Sequence, residues 1–110
     1  MVDAGLRDLG SQEPVTKAIV GVTSTDTTLV AAQAGKRIVV VYWSLGADGA
    51  QTVKFQSTTS TDITGELRLN TTQSNSGWNP DGHFMTTAGE LLNLEISGGT
   101  VSGYICYIVI

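Results

Sequence analysis

Along this chain apolar residues recur at every second position, in short runs separated by glycine, threonine, asparagine and proline, and that is the period of strands. From Pro14 onward the runs read "VTKAIVGV" (15–22), "TTLVAAQ" (27–33), "KRIVVVYWSL" (36–45), "QTVKFQST" (51–58), "ITGELRLN" (63–70), "ELLNLEI" (90–96) and "TVSGYICYIVI" (100–110). Turn formers such as "TSTD", "GADGA" and the Ala34-Gly35 pair divide them. Two runs, 36–45 and 100–110, are apolar on both alternating sets and predict strands buried on both faces. In the first of them Ile38, Val40 and Tyr42 form one set, while Val39, Val41, Trp43 and Leu45 form the other. In "ELLNLEI" the pattern sends Leu92, Leu94 and Ile96 inward and Asn93 and Glu95 outward, and "TTQSNSGW" (71–78) reads as a polar loop.

Seven to eight strands with turn signals every eight to twelve residues predict an all-β, single-domain β-sandwich, jelly-roll-like, spanning 14–110. An internal echo supports paired halves: "VAAQAGKRIVVV" and "FMTTAGELLNLEI" both run through Ala-Gly and a charged residue into an alternating strand. Residues 1–13 stand apart as an extended N-terminal arm, in which Val2, Leu6 and Leu9 are set among polar residues and Gly5 and Gly10 weaken any helical turn.

Composition narrows the function. The formal charge of −4 removes the basis for gripping a phosphate backbone, so no nucleic-acid partner is expected. No run approaches the roughly 18 apolar residues that span a bilayer, and the N-terminus lacks the apolar stretch of a secretory signal. With one cysteine, Cys106, no intrachain disulfide can form. The thiol lies in an alternating apolar run and reads as buried and inert.

Candidate chemistry is sparse. In "NPDG" (79–82) Pro80 suits the second position of a type I turn, which accounts for Asp81 by backbone geometry. His83 has no second histidine and no cluster of cysteines to complete a zinc site, so it reads as a surface or interface residue, and no metal or other cofactor is expected. Glu90 opens a strand as a solvated carboxylate, Asp62 and Glu66 make no acid–base pair at strand spacing, and "STTSTDIT" reads as a solvated turn. Tyr42 and Trp43 are expected in the core, whereas Trp78, next to a turn, is placed to cap the sandwich or face a partner. An enzyme is not expected.

The segments "LVAAQAGKRIVVVYWSLGADGAQTVKFQS", "ITGELRLN" and "NPDGHFMTTAGELLNLEISGGTVSGYICYIVI" resemble small β-sandwich virion proteins of tailed bacteriophages, among them head decoration, or cement, proteins. That resemblance implies a noncatalytic homotrimer, made in the host cytoplasm, which binds the major capsid protein on the outer surface of the virion. Its partner-binding residues would be Val2, Leu6, Arg7 and Leu9 of the arm, together with Trp78 and His83. The alternatives are a tail or head–tail connector component, or a glycan- or receptor-binding β-sandwich module.

Overall fold

A computed structural model describes residues 13–78 and 84–110. Residues 1–12 of the expected arm, Val2, Leu6, Arg7 and Leu9 included, lie outside the described residues, as do the "NPDG" turn and His83. The described chain is all-β. Its nine strands are β1 (Val15–Val22), β2 (Asp26–Val30), β3 (Ile38–Ala47), β4 (Gln51–Ser57), β5 (Thr61–Asp62), β6 (Leu67–Leu69), β7 (Asn75–Trp78), β8 (Leu92–Ile96) and β9 (Val101–Val109).

Two antiparallel sheets form a sandwich. The first runs β1-β9-β3-β7; the second runs β2-β8-β4-β5, with β6 also on β4. The chain crosses from one sheet to the other as it nests on itself, so that β1 lies beside β9 and β2 beside β8. This is the double-sheet plan of a jelly roll.

Three differences from the expected strand map have physical causes. β7 lies inside "TTQSNSGW", expected as a loop: Asn75 to Trp78 pair with the second half of β3, and the strand needs little apolar character because it sits at an edge with one face wet. The expected strand "ITGELRLN" is split. Its start is held to β4 by Ile63 and Thr64 amides that both donate to the Phe55 carbonyl, and pairing resumes only at Leu67. The two-residue β5 falls within the hydroxyl-rich stretch expected as a turn and pairs with Gln56 and Ser57.

A fourth difference is a bulge in β3. Val40 pairs with Tyr107 and Tyr42 with Cys106, leaving Val41 as the extra residue. An extra residue reverses the alternation beyond it. Ile38, Val40 and Leu45 therefore join Trp43 on the inner face, while Val39, Val41 and Tyr42 are turned the other way.

Between the sheets sit Ile19, Leu29, Ile38, Val40, Leu45, Val53, Phe55, Leu92, Leu94, Ile96, Val101 and Ile105, all buried. Phe84 completes an aromatic cluster with Phe55 at 5.0 Å and Trp43 at 5.1 Å between ring centroids. The Trp43 indole N–H, which burial would otherwise leave unpaired, donates to Asn75 Oδ1 at 2.9 Å. Phe84 is carried there by a segment that continues the β7 edge along β3: Val40 N–H donates to the Phe84 carbonyl and Thr86 N–H to that of Ile38. A second, smaller apolar cluster of Val39, Val41 and Ile108 lies on the outer side of the same sheet, with Met85, Cys106 and Ile110 packed against it.

Candidate functional site

The outer faces of the two sheets differ in chemistry. On the second sheet it is polar and largely paired within itself, with Asn93 Oδ1 as the buried side-chain atom left without a partner among the described residues. Asn93 is not solvated as its place in the alternation suggested; it is 1% exposed, and its amide donates to Gln56 Oε1 at 2.9 Å and to Asp26 Oδ1 at 3.0 Å. Gln56 in turn donates to Asp62 at 2.8 Å, and Lys54 bridges Asp62 at 3.2 Å and Glu95 at 3.4 Å. The row thus ties β2, β8, β4 and β5 together through side chains as well as backbone.

These contacts fix the charge states. Hydrogen bonds from Gln56 and then Lys54 hold the Asp62 carboxyl below its usual range, and the Asp62 hydrogen bond raises the Lys54 ammonium above its own. Glu90, expected as a solvated carboxylate, is half-buried and accepts the Ser57 hydroxyl, whose oxygen also accepts the Thr87 amide at 3.0 Å. The pair fastens the 87–90 turn to the end of β4. Asp62 and Glu66 do not form a pair. Among the described residues no group of three or more His, Cys, Asp or Glu side chains is placed to hold a metal.

The first sheet is different. Trp78, Val20, Tyr104 and Val15 are the large apolar residues left exposed among those described, at 69%, 84%, 39% and 51%. Register places Trp78 and Tyr104 on one outer face. Trp78 faces Tyr42 across β7 and β3, Tyr42 faces Cys106 across β3 and β9, and Cys106 faces Thr16 across β9 and β1. In the next row Ser76, Ser44, Tyr104 and Ala18 line up in the same way. Val20 projects from the irregularity in β1 between Ile19 and Val22.

Tyr42 and Tyr104 lie 5.6 Å apart between ring centroids, and the neighbouring Tyr42 hydroxyl, which favours the protonated form of its partner, is the first cause that raises the Tyr104 hydroxyl above its usual range. Tyr42, expected in the core, is half-buried on this outer face because of the bulge at Val41. Trp78 is exposed as expected of a residue facing outward. Cys106 is half-buried rather than buried, 3.6 Å from the Thr16 hydroxyl, on the same face. Nothing in the sequence pattern marks this row, because it is assembled from four strands by a bulge and by an edge strand that reads as a loop.

No family model and no curated protein matches the chain. Among solved structures it is similar to a chain of the disulfide-linked pili that form Bacillus endospore appendages, at 16% identity and a TM-score of 0.49, over 99% of this chain and 93% of that one. The expected role as a bacteriophage capsid decoration protein is corrected by this finding: a structural neighbour of this chain comes from a bacterial spore appendage.

Proposed function

We infer that this chain is a noncatalytic structural subunit that associates with copies of itself, and that the outer face of the β1-β9-β3-β7 sheet is the associating surface. One observation carries the reading. The two exposed aromatic side chains, Trp78 and Tyr104, fall on that single face beside Tyr42, while polar side chains on the opposite outer face are tied to one another. Exposed aromatic side chains gathered on one side of a small domain mark a surface that is covered by something, and tryptophan and tyrosine are the residues that carry most energy when covered.

The neighbouring strand edge adds a second means of attachment. β1 is the outermost strand of its sheet among the described residues, is eight residues long and is exposed along most of its length. Such an edge offers unpaired amide and carbonyl groups to another strand. A pilus, the assembly named for the Bacillus chain, is one form that repeated association of this kind takes.

The test is the association state. Light scattering after size exclusion should give an oligomer for the unaltered chain, and Trp78→Ser combined with Val20→Thr should weaken association at least tenfold while the β-type circular dichroism is retained. An unaltered chain that remains monomeric at about 1 mM, the weakest specific range, would overturn the assignment.

A further inference from the structure

A cavity of about 380 Å³ opens where β4 begins, lined by Ala50, Gln51, Thr52, Arg68, Leu69, Asn70, Gln73 and Ser97. That volume is at the small end of the range of ligand pockets, roughly 300–1,000 Å³, but the lining is more polar than is usual there. What makes it informative is which of its polar atoms are already engaged.

The acceptors are largely engaged. Asn70 Oδ1 takes the Thr72 amide at 2.8 Å and the Thr72 hydroxyl at 2.9 Å, and Gln73 Oε1 takes the Asn70 amide at 3.2 Å. Ser97 Oγ takes the Thr52 amide at 2.9 Å. Gln51 is turned away: its amide donates to the Thr100 carbonyl at 3.2 Å, and Gly99 lies against its Oε1.

The donors are left over. Gln73 Nε2 and the Arg68 guanidinium have no hydrogen-bond or ion-pair partner among the described residues, and the Ser97 hydroxyl has received one hydrogen bond without giving one. Arg68 makes no ion pair among the described residues: Asp62 and Glu95 are both taken by Lys54, and Glu66, two residues before Arg68, is not within ion-pair distance of its guanidinium. A guanidinium is donor-only and matches a carboxylate through two parallel hydrogen bonds.

We propose that this pocket binds a small, hydroxyl-bearing carboxylic acid, with its carboxylate on Arg68 and its other oxygens on Gln73 and Ser97. One unpaired guanidinium in a chain of net charge −4 suits a monoanion. A phosphate dianion would need a second cation, and Lys54 is already held by two carboxylates. The site is separate from the apolar face on the other sheet, so it stands or falls independently of self-association.

Glucuronate is the probe, with glucose and inorganic phosphate as controls, in an amide and side-chain NMR titration of the full chain. Glucuronate is expected to move the Gln73 side-chain amide and the Arg68 and Ser97 signals in a saturable way, and glucose and phosphate to leave them at least tenfold less responsive. Arg68→Gln should abolish the response, and Arg68→Lys, which keeps the charge but loses the fork, should weaken it about tenfold or more. Because Arg68 is exposed on a short strand, an unchanged melting temperature in both variants is expected and separates loss of binding from loss of fold. Equal responses to glucuronate and glucose, a stronger response to phosphate, or a response that survives Arg68→Gln would each overturn the site.

Discussion

Gly77 and Gly103 show how tightly individual residues hold the first sheet. A Cβ on Gly77 would sit 2.4 Å from the Trp43 ring, and one on Gly103, where φ is +147°, would sit 1.9 Å from the Ser44 carbonyl oxygen. The Trp43 ring lies over Gly77 because no side chain stands there, and from that position it reaches both Asn75 and the aromatic cluster. Gly77→Ala should therefore displace the indole and lower stability by about 1–3 kcal/mol, the usual cost of overpacking. Gly103→Ala, with a backbone clash and an unfavourable φ as well, should lower it more. Urea unfolding of both variants checks the order. The row Asp26–Asn93–Gln56–Asp62–Lys54–Glu95 gives a pH prediction. Asp62 is depressed from an ordinary value near 3.8, so its contribution is complete above that value and is lost as pH falls through the lower folded-state value. Lys54 is raised from 10.5, so its contribution is complete below 10.5 and is lost as pH rises through the folded-state value. Asp62→Asn should flatten the acid limb of a stability–pH curve below pH 3.8 and also bring the alkaline fall of Lys54 to lower pH. An acid limb unchanged in the variant would remove Asp62 from this role. The sequence showed Asn93 as an outward polar position and nothing more, since its burial depends on Asp26 and Gln56 arriving from two other strands.

At the scale of elements, the strands that were legible are the apolar-rich runs bounded by turn formers. β1 was placed to the residue, and β4, β8 and β9 within a residue or two, because period two is visible wherever one face is apolar or both are. β7 was not legible: "NSGW" carries the composition of a turn, and only its pairing with Tyr42 to Leu45 makes it a strand. The bulge in β3 was equally hidden, because "IVVVYW" is apolar at every position and any register buries something. The same strand explains why the face with Trp78 and Tyr42 could not be foreseen. β9 is the element on which most depends, since it lies between β1 and β3 and pairs with both along its length. Tyr107 pairs with Val15 and Val40, Ile108 with Val39, and Val109 with Ile38, while the Ile110 backbone exchanges hydrogen bonds of 3.0 and 2.9 Å with Arg37. Deleting residues 107–110 strips the central strand of the first sheet, exposes Val39 and Val41, and removes side chains worth up to roughly 1.5–3 kcal/mol each where fully buried. Total stabilities are about 5–15 kcal/mol, so the truncated chain should lose cooperative unfolding altogether. A truncation that still melts in one sharp transition would contradict the central place of β9.

For the whole molecule, the two outer faces set how stability should respond to concentration. A sandwich that buries its inner faces and ties most polar side chains of one outer face to one another leaves the Trp78–Tyr42–Tyr104 face as the one of these two surfaces with more free energy to gain from a partner. If a second copy covers it, folding and association are linked, because only the folded chain presents the face. For a dimer each tenfold rise in protein concentration well above the dissociation constant then adds roughly 0.7 kcal/mol per chain, and a domain of this length moves by about 4–8 °C in melting temperature per kcal/mol, giving roughly 3–6 °C. Scanning calorimetry across a hundredfold range of concentration should show that rise for the unaltered chain. The combination Trp78→Ser with Val20→Thr should give a melting temperature that does not depend on concentration; it leaves the core untouched, since neither residue is buried, and threonine keeps the β-branched shape that suits β1. Arg68→Gln, on the other sheet, should leave the concentration dependence as it is. A melting temperature that is flat for the unaltered chain, or one whose rise survives the loss of Trp78 and Val20, would move association away from this face, and the exposed edge of β1 would be the surface to alter next.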